Sequence, residues 1–369
     1  MKFAAVILAA GYSSRIGGFK PLMELGGQSL IGRCAGLFRR ADIDDIVLIT
    51  GYRHKEVEAE AARLDLPCIY NPDYDRGMYS SVCAAAAHLQ CTEVDGFFML
   101  PVDIPLIRPA TIAALSAAFA GRAVVYPSYE GLRGHPPLIP AHLIPAILAH
   151  DGRGGLKSLL ETQEHLDVAV WDKGILMDAD TPEDFAVLTR RVERLTIGEP
   201  AEALALAKLA MPEKGVAHGL AVARIAATLG RELNRHGARL DIDLLRNGAL
   251  LHDVAKGKPQ HEAGGAELLK GLGLEKLAAI VAAHRDLPPP ATGVLTEKEV
   301  VCLADKLVRG TTCLSVRRRF AEKLDLYAQD EAACLAIRGR LADALALQAL
   351  VEKTVGRSIE EILAAAPDP

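Results

Sequence analysis

Short apolar runs alternate with helically spaced stretches through the first half of the chain. Phe3–Ala9, Asp45–Thr50, Pro67–Tyr70, Gly96–Leu100 and Ala123–Pro127 read as strands. Leu30–Ala41, Glu56–Leu64, Ser81–Leu89 and Thr111–Ala118 read as the helices between them. Strands alternating with crossover helices predict an α/β architecture, a doubly wound, mostly parallel sheet. Ligands of such sheets bind beyond the carboxyl ends of the strands. After about Leu195 the strand runs stop. Ala- and Leu-rich helical patterns follow, broken at Gly237, Gly257–Pro259 and Leu287–Pro290. This predicts a separate all-α region, with the boundary in Thr196–Pro200. The expected division is 1–195, a helical connection over 196–212, a second domain over 213–325 and a helical extension over 326–369, frayed after Ile362.

Composition narrows the picture. The 369 residues suit two domains. A net charge of −5 makes no electrostatic case for nucleic acid, though a local basic pocket for phosphate is compatible with it. Seven cysteines without paired spacing argue against a disulfide framework or a zinc ribbon. Most sit among apolar neighbours and are expected as buried reduced thiols in a cytoplasmic protein. No run is long enough to span a membrane. The opening apolar stretch ends at Ala10 before Gly11, Ser13, Ser14 and Arg15, as a strand entering a glycine turn does, rather than a secretion signal.

That turn carries the first candidate chemistry. In Leu8-Ala9-Ala10-Gly11-Tyr12-Ser13-Ser14-Arg15-Ile16-Gly17-Gly18-Phe19-Lys20, Gly11 permits close approach of backbone N–H groups to a polyphosphate. Arg15 and Lys20 supply two cations for its oxygens. It is not a Walker A loop, because Phe19 precedes Lys20 and Pro21 follows it. Taken alone, it could be a glycine turn with two solvated cations. The whole segment resembles LAAGxSxRMGxxK, the signature of the nucleotidyltransferase superfamily that includes the molybdopterin nucleotidyltransferases. Asn71-Pro72 with Gly77-Met78-Tyr79-Ser80-Ser81, Pro101-Val102-Asp103-Ile104-Pro105, Arg133-Gly134-His135-Pro136 and Asp178-Ala179-Asp180-Thr181-Pro182-Glu183-Asp184 resemble further motifs of that family in the same order. The resemblance covers roughly residues 3–190.

The resemblance implies a nucleotide site of Leu8, Ala9, Ala10, Gly11, Arg15, Lys20, Gly77, Ser80, Ser81 and Asp103. It implies an acceptor site of Gly134, His135 and Pro136. Asp103 is the expected Mg²⁺ ligand, with Asp180 the second carboxylate and Asp178 the alternative. Bland readings exist for each: Asp103 and Asp180 could be helix caps, and His135 an exposed turn residue. Family members that use CTP carry LAAG where guanylyltransferases carry LAGG, so Ala10 implies CTP. No general base stands out. A phosphate monoester has a second pKa near ~6, so the acceptor is already a dianion at neutral pH.

In the second half, His218, His252-Asp253, His261, His284 and Asp305 lie on or beside predicted helices among apolar neighbours. A lone His-Asp pair often arises by chance. The ordered set, with Lys256 completing HDVAK, resembles the HD superfamily of metal-dependent phosphohydrolases over about residues 213–320. The resemblance implies one metal on His218, His252, Asp253 and Asp305. It implies a second on His261 and His284, with Asp253 bridging. The two divalent transition metals are left unassigned among Fe, Mn, Zn, Co and Ni. Lys256 is either a phosphate ligand or a solvated lysine. His54, His88, His142, His150, His165 and His236 read as surface or locally bonded.

The combined expectation is a CTP:molybdenum cofactor cytidylyltransferase that releases pyrophosphate, fused to an HD phosphohydrolase. Its partners would be CTP, molybdopterin and molybdenum hydroxylase apoenzymes. Transfer to another phosphorylated acceptor such as a sugar phosphate is one alternative. A hydrolase with a nucleotide-sensing front domain is another, and an inert HD domain used for regulation or dimerisation a third.

Overall fold

The structure is a computed structural model and describes residues 1–285 and 287–365. The chain divides into two compact units, Met1–Glu193 and Arg194–Pro369.

In the first unit, strands β1 (Phe3–Ala9), β4 (Ile46–Thr50), β5 (Cys68–Tyr70), β6 (Gly96–Pro101), β7 (Val124–Tyr129), β8 (Leu132–Arg133), β9 (Leu138–Pro140) and β10 (His165–Ala169) form one sheet. A small hairpin, β2 (Glu24–Leu25) and β3 (Gln28–Ser29), stands apart. The order is β10-β7-β9-β6-β1-β4-β5, with β8 on β7. β1 runs parallel to β4 and β6, β4 to β5, and β7 to β10, whereas β9 is antiparallel to both β6 and β7. The central strands are apolar at nearly every position because helices cover both faces. Ala4 to Ala9 are all buried. The helices are α1 (Leu30–Arg39), α2 (His54–Arg63), α3 (Met78–Leu89), α4 (Pro109–Ala118), α5 (Ile144–Ala149), α6 (Gly155–Leu160) and α7 (Pro182–Val192).

The five expected strands and four expected helices are present within a few residues. The pattern did not reveal β8, β9 or β10. Two are only two or three residues long, and β10 is an edge strand (His-Leu-Asp-Val-Ala) whose residues are mostly exposed.

The second unit is helical: α8 (Pro200–Ala210), α9 (Glu213–Arg235), α10 (Ile242–Leu251), α11 (His261–Gly271), α12 (Glu275–Val281), α13 (Glu297–Lys306), α14 (Val316–Leu326), α15 (Glu331–Val355) and α16 (Ile359–Ala364). One two-residue hairpin, β11 (Val308–Arg309) with β12 (Thr312–Cys313), departs from the all-α expectation. α9 and α10 pack closely at Gly219, where an added Cβ would lie 2.3 Å from the Leu250 carbonyl oxygen. α16 continues past Ile362 to Ala364, stabilised by a Ser358–Glu361 capping box. The remaining expected tail, 366–369, lies outside the described residues.

No helix among the described residues is long and apolar enough to cross a membrane. The seven cysteines are free, but only Cys34 and Cys302 are buried. Cys91 and Cys313 are exposed, because one follows the end of α3 and the other sits on the small hairpin. Apolar neighbours in sequence therefore overstated their burial.

Candidate functional sites

The register of the parallel strands builds the first site. Leu8 pairs with Pro101 and Ala9 with Thr50, so the loops leaving β1, β6 and β4 emerge side by side. Val102 N–H donates to the Leu8 carbonyl (3.1 Å) and Tyr52 N–H to that of Ala10 (3.1 Å). The glycine loop folds back through a bond from Lys20 N–H to Ser13 Oγ (3.0 Å). This sends the Lys20 side chain inward, where Nζ lies 2.9 Å from Asp103 Oδ2 and 2.6 Å from Asp180 Oδ1. Arg15 reaches the other Asp180 oxygen at 2.8 Å. Asp180 comes to Asp103 because Ala179 N–H donates to the Asp103 carbonyl (2.8 Å). Thr181 then caps α7 through a capping box with Asp184. The cap belongs to Thr181, so the Asp180 carboxylate is left for the site.

Burial opposes the charge on Lys20, but its two carboxylate bonds outweigh that and hold its pKa above the usual lysine value. The Lys20 bond correspondingly holds Asp180 below the ordinary carboxylate range. Asp178 behaves oppositely: burial, then the Asp180 and Asp103 charges, raise its pKa. Three carboxylates thus crowd a place where, among the described residues, Lys20 and Arg15 are seen to counter them. Two oxygens within 3 Å of one ammonium nitrogen could equally face one cation, and an all-oxygen donor set suits Mg²⁺.

Leu8 to Arg15, Lys20, Gly77, Ser81 and Asp103 line one cavity of about 390 Å³. An added Cβ at Gly11 would meet no protein atom within 4 Å, so the loop backbone is bare towards that space. Ser80 departs from the expected set. Its hydroxyl bonds the Gly77 carbonyl (2.8 Å) and the Asn71 amide (2.8 Å), so it braces the turn instead of lining the cavity.

A second cavity of about 630 Å³ shares Leu8, Met78 and Pro101 with the first. Gly134 and His135 line it. Gly134 is held where an added Cβ would lie 2.4 Å from the Ile175 carbonyl oxygen. His135 N–H donates to that same oxygen (3.0 Å). His135 is exposed, yet desolvation by its surroundings lowers its pKa below the ordinary histidine value. Pro136 is buried, and Pro137 lines the cavity in its place, because the Gly134 and His135 amides tie the loop down on either side. Arg133, quoted with the Gly134-His135-Pro136 motif, lines it too, whereas sequence reasoning missed Tyr126 and the Gly154–Lys157 turn as lining residues. The one available signal for the turn was the glycine cluster in Asp151-Gly152-Arg153-Gly154-Gly155, whose three glycines all take positive φ.

The second site lies in the helical unit. His218 comes from α9, and His252-Asp253 directly follow α10. His261 opens α11, His284 follows α12 and Asp305 is on α13. His218, His252 and Asp253 offer donor atoms all within 4.8 Å of one another, and so do Asp253, His261 and His284. The two oxygens of Asp253 divide between the groups. Oδ2 lies 3.4 Å from His252 Nε2, while Oδ1 lies 3.5 Å from His261 Nε2 and 3.7 Å from His284 Nε2. Asp305 Oδ1 faces His218 and His252 at 3.5 and 3.6 Å. Two donors at about 2.1 Å from one tetrahedral ion are roughly 3.4 Å apart. The observed spacings fit ligands around cations better than a hydrogen-bonded cluster.

Three of the four imidazoles are aimed from behind. Nδ1 of His218, His252 and His284 donates to the Gly310, Ala249 and Val281 carbonyls at 2.8, 2.7 and 2.6 Å. A carbonyl can only accept, so Nδ1 carries the hydrogen and Nε2 keeps its lone pair. Burial, then the nearby His252, pushes the His284 pKa down to about 4. Burial resists ionisation of Asp253 and Asp305, yet surrounding cations and imidazoles hold both well below the usual range. Lys256 bonds Asp253 Oδ2 and lines a cavity of about 450 Å³ beside the cluster.

The remaining histidines stay out of both clusters. Nδ1 of His150 accepts from Gly152 N–H (3.0 Å), His54 stacks on Tyr70 and Nδ1 of His236 reaches the Glu232 carbonyl (3.0 Å). His88, His142 and His165 are exposed.

Residues 5–168 match the family described as MobA-like NTP transferase domain, and residues 215–310 match the HD domain. The chain is a MobA-like NTP transferase domain joined to an HD domain. The transferase unit is 28% identical over 189 residues to the molybdenum cofactor cytidylyltransferase of Escherichia coli (strain K12), which covers 50% of this chain and 95% of the relative. It is 35% identical over 127 residues to an uncharacterized protein of Methanocaldococcus jannaschii, covering 30% of this chain and 75% of the relative. It is 33% identical over 113 residues to the choline-phosphate cytidylyltransferase of Haemophilus influenzae, covering 29% and 48%. The HD match ends before α14 and α15, although both helices line the cavity beside the HD cluster.

Proposed function

We propose that the transferase unit moves the cytidylyl group of CTP onto the phosphate of molybdopterin or the molybdenum cofactor. An acceptor phosphate oxygen attacks the α-phosphorus, the α–β bridging P–O bond breaks, and pyrophosphate leaves with that bridging oxygen. The supporting observation is two cavities sharing one wall at Leu8, Met78 and Pro101, with Lys20, Arg15 and Asp103 on the first and His135 on the second. In this reading Lys20 and Arg15 neutralise charge growing on the leaving phosphates, and catalysis is positioning plus electrostatics. Asp103 and Asp180 would hold a Mg²⁺ ion, which supplies further neutralisation of the triphosphate. The near full-length similarity to a molybdenum cofactor cytidylyltransferase supports the acceptor, and Ala10 supports CTP. Purified protein offered CTP and molybdopterin should yield the cytidylylated cofactor and pyrophosphate. Turnover of choline phosphate or a sugar phosphate, with none of molybdopterin, would favour the alternative acceptor instead. Ala10→Gly should raise the use of GTP relative to CTP.

For the HD unit we propose a binuclear metal-dependent phosphohydrolase. His218, His252, Asp253 and Asp305 would hold one ion, and Asp253, His261 and His284 the other. Such a pair supplies an activated water and charge stabilisation for phosphate-ester cleavage. The division of the two Asp253 oxygens between the histidine groups carries this reading. Metal analysis should find two equivalents of transition metal per chain beyond any Mg²⁺. Less than one tenth of an equivalent after reconstitution would remove the hydrolase assignment.

A further inference from the structure

The cavity beside the HD cluster carries more positive charge than one phosphate monoester needs. Six cationic side chains, Lys256, Arg285, Lys306, Arg319, Lys323 and Arg340, line it against two carboxylates, Asp253 and Asp305. Three of the six are committed close to those carboxylates. Lys256 bonds Asp253, Lys306 bonds Asp305 (2.9 Å), and Arg319 reaches Asp305 (3.4 Å). Arg285 is held by Glu262 at 3.0 Å. Lys323 and Arg340 reach the same cavity from α14 and α15, which lie beyond the matched HD segment.

The helices place these outer cations deliberately in space. Lys323 is four residues after Arg319, hence on the same face of α14. Arg340 shares the face of α15 that carries Ala333, Ala336 and Ile337 into the cavity. Small side chains at 333 and 336 leave room in front of it. Lys323 lies over the Phe320 ring at 5.6 Å, and its charged neighbours are, in falling order, Arg319, Lys306, Asp305 and Arg340. Three of the four charged neighbours of Lys323 are cations, an arrangement an incoming polyanion would relieve.

We propose that α14 and α15 add a second phosphate subsite to the HD centre, so that its substrate carries two phosphate groups, with the outer one bound by Lys323 and Arg340. The inner phosphate is the one cleaved beside Asp253. The outer phosphate binds between the helices and fixes the register of the substrate. This rests on the reading of the HD unit as a metal phosphohydrolase.

The test uses the full chain with Lys20→Ala, which weakens phosphate capture at the transferase site, after loading with Mn²⁺. Calorimetric titration compares inorganic pyrophosphate with inorganic phosphate, and CDP with CMP. The two-phosphate member of at least one pair should bind ten-fold or more tightly than its partner. Which pair shows the gap tells an inorganic from a nucleoside diphosphate. Adding Lys323→Ala with Arg340→Ala should collapse that gap to within about two-fold, and Lys323→Arg with Arg340→Lys should restore most of it. Metal content and circular dichroism check that each variant is folded and loaded. A gap that persists in the double alanine variant, or no gap in the starting protein, overturns the subsite. Failure to load any metal would instead strike the hydrolase reading beneath it.

Discussion

The two sites of this chain solve opposite problems with the same carboxylate chemistry. The transferase site is open, borne on loops at strand ends, and its Asp103 and Asp180 are bridged by a lysine. The HD site is buried, borne on helices and helix ends, and its donors face one another across gaps of cation size, with backbone carbonyls aiming three imidazoles. The first arrangement suits a metal that arrives and leaves with a nucleotide. The second suits ions held between turnovers, because three of its imidazole donors are oriented before an ion binds.

The largest effect should separate them outright. Asp253→Ala removes the donor shared by both proposed ions, so bound transition metal should fall below a tenth of an equivalent and phosphohydrolase activity by 1,000-fold or more, while cytidylyl transfer stays within about two-fold. Chelation followed by dialysis should act in the same sense. Mg²⁺ alone should restart transfer at once, and hydrolysis should wait for a transition metal. If Mg²⁺ restored both equally, the contrast between visiting and resident ions would fail. Lys20→Ala should lower kcat for transfer by about 100- to 1,000-fold, the usual scale for removing one preorganised charge-stabilising group. Arg15, with its side chain mostly exposed, should matter less: Arg15→Ala should act mainly on KM for CTP, by about ten-fold.

The smallest effect concerns the scaffold. Asp241 caps α10, whose far end carries His252 and Asp253, and its carboxylate is gripped by Arg194 at 2.5 and 2.9 Å. Burial raises its pKa, but the Arg194 bond and the Leu244 and Asp243 amides outweigh that and lower it below 3.8. The stabilisation is therefore complete above about pH 4 and is lost as pH falls through the depressed native value. Asp241→Ala should cost about 1 kcal/mol for the cap, and the half-exposed pair should add at most about another 1. Denaturant unfolding at pH 7 and pH 3 measures both, and the difference between wild type and variant should shrink at the lower pH.

What was legible in the sequence follows from range. Apolar runs mark buried strands because burial on both faces demands it, so the central strands and the helical second half were readable. The glycine loop and the His-Asp pair are contiguous, so both stood out as candidate sites in the letters alone. Short or exposed strands carry no such imprint, which is why β8, β9 and β10 were missed. Other decisions belong to contacts between distant residues. That Asp180 meets Asp103 depends on one amide bond from Ala179, and that Pro137 rather than Pro136 faces the second cavity depends on a loop tied to Ile175. That α14 and α15 surround the HD centre with cations depends on helix packing, since Arg319, Lys323 and Arg340 read as ordinary surface charges along the chain. Residue types and local periodicity are properties of the sequence. Which charges end up within a few ångströms of one another is decided only when the backbone has folded.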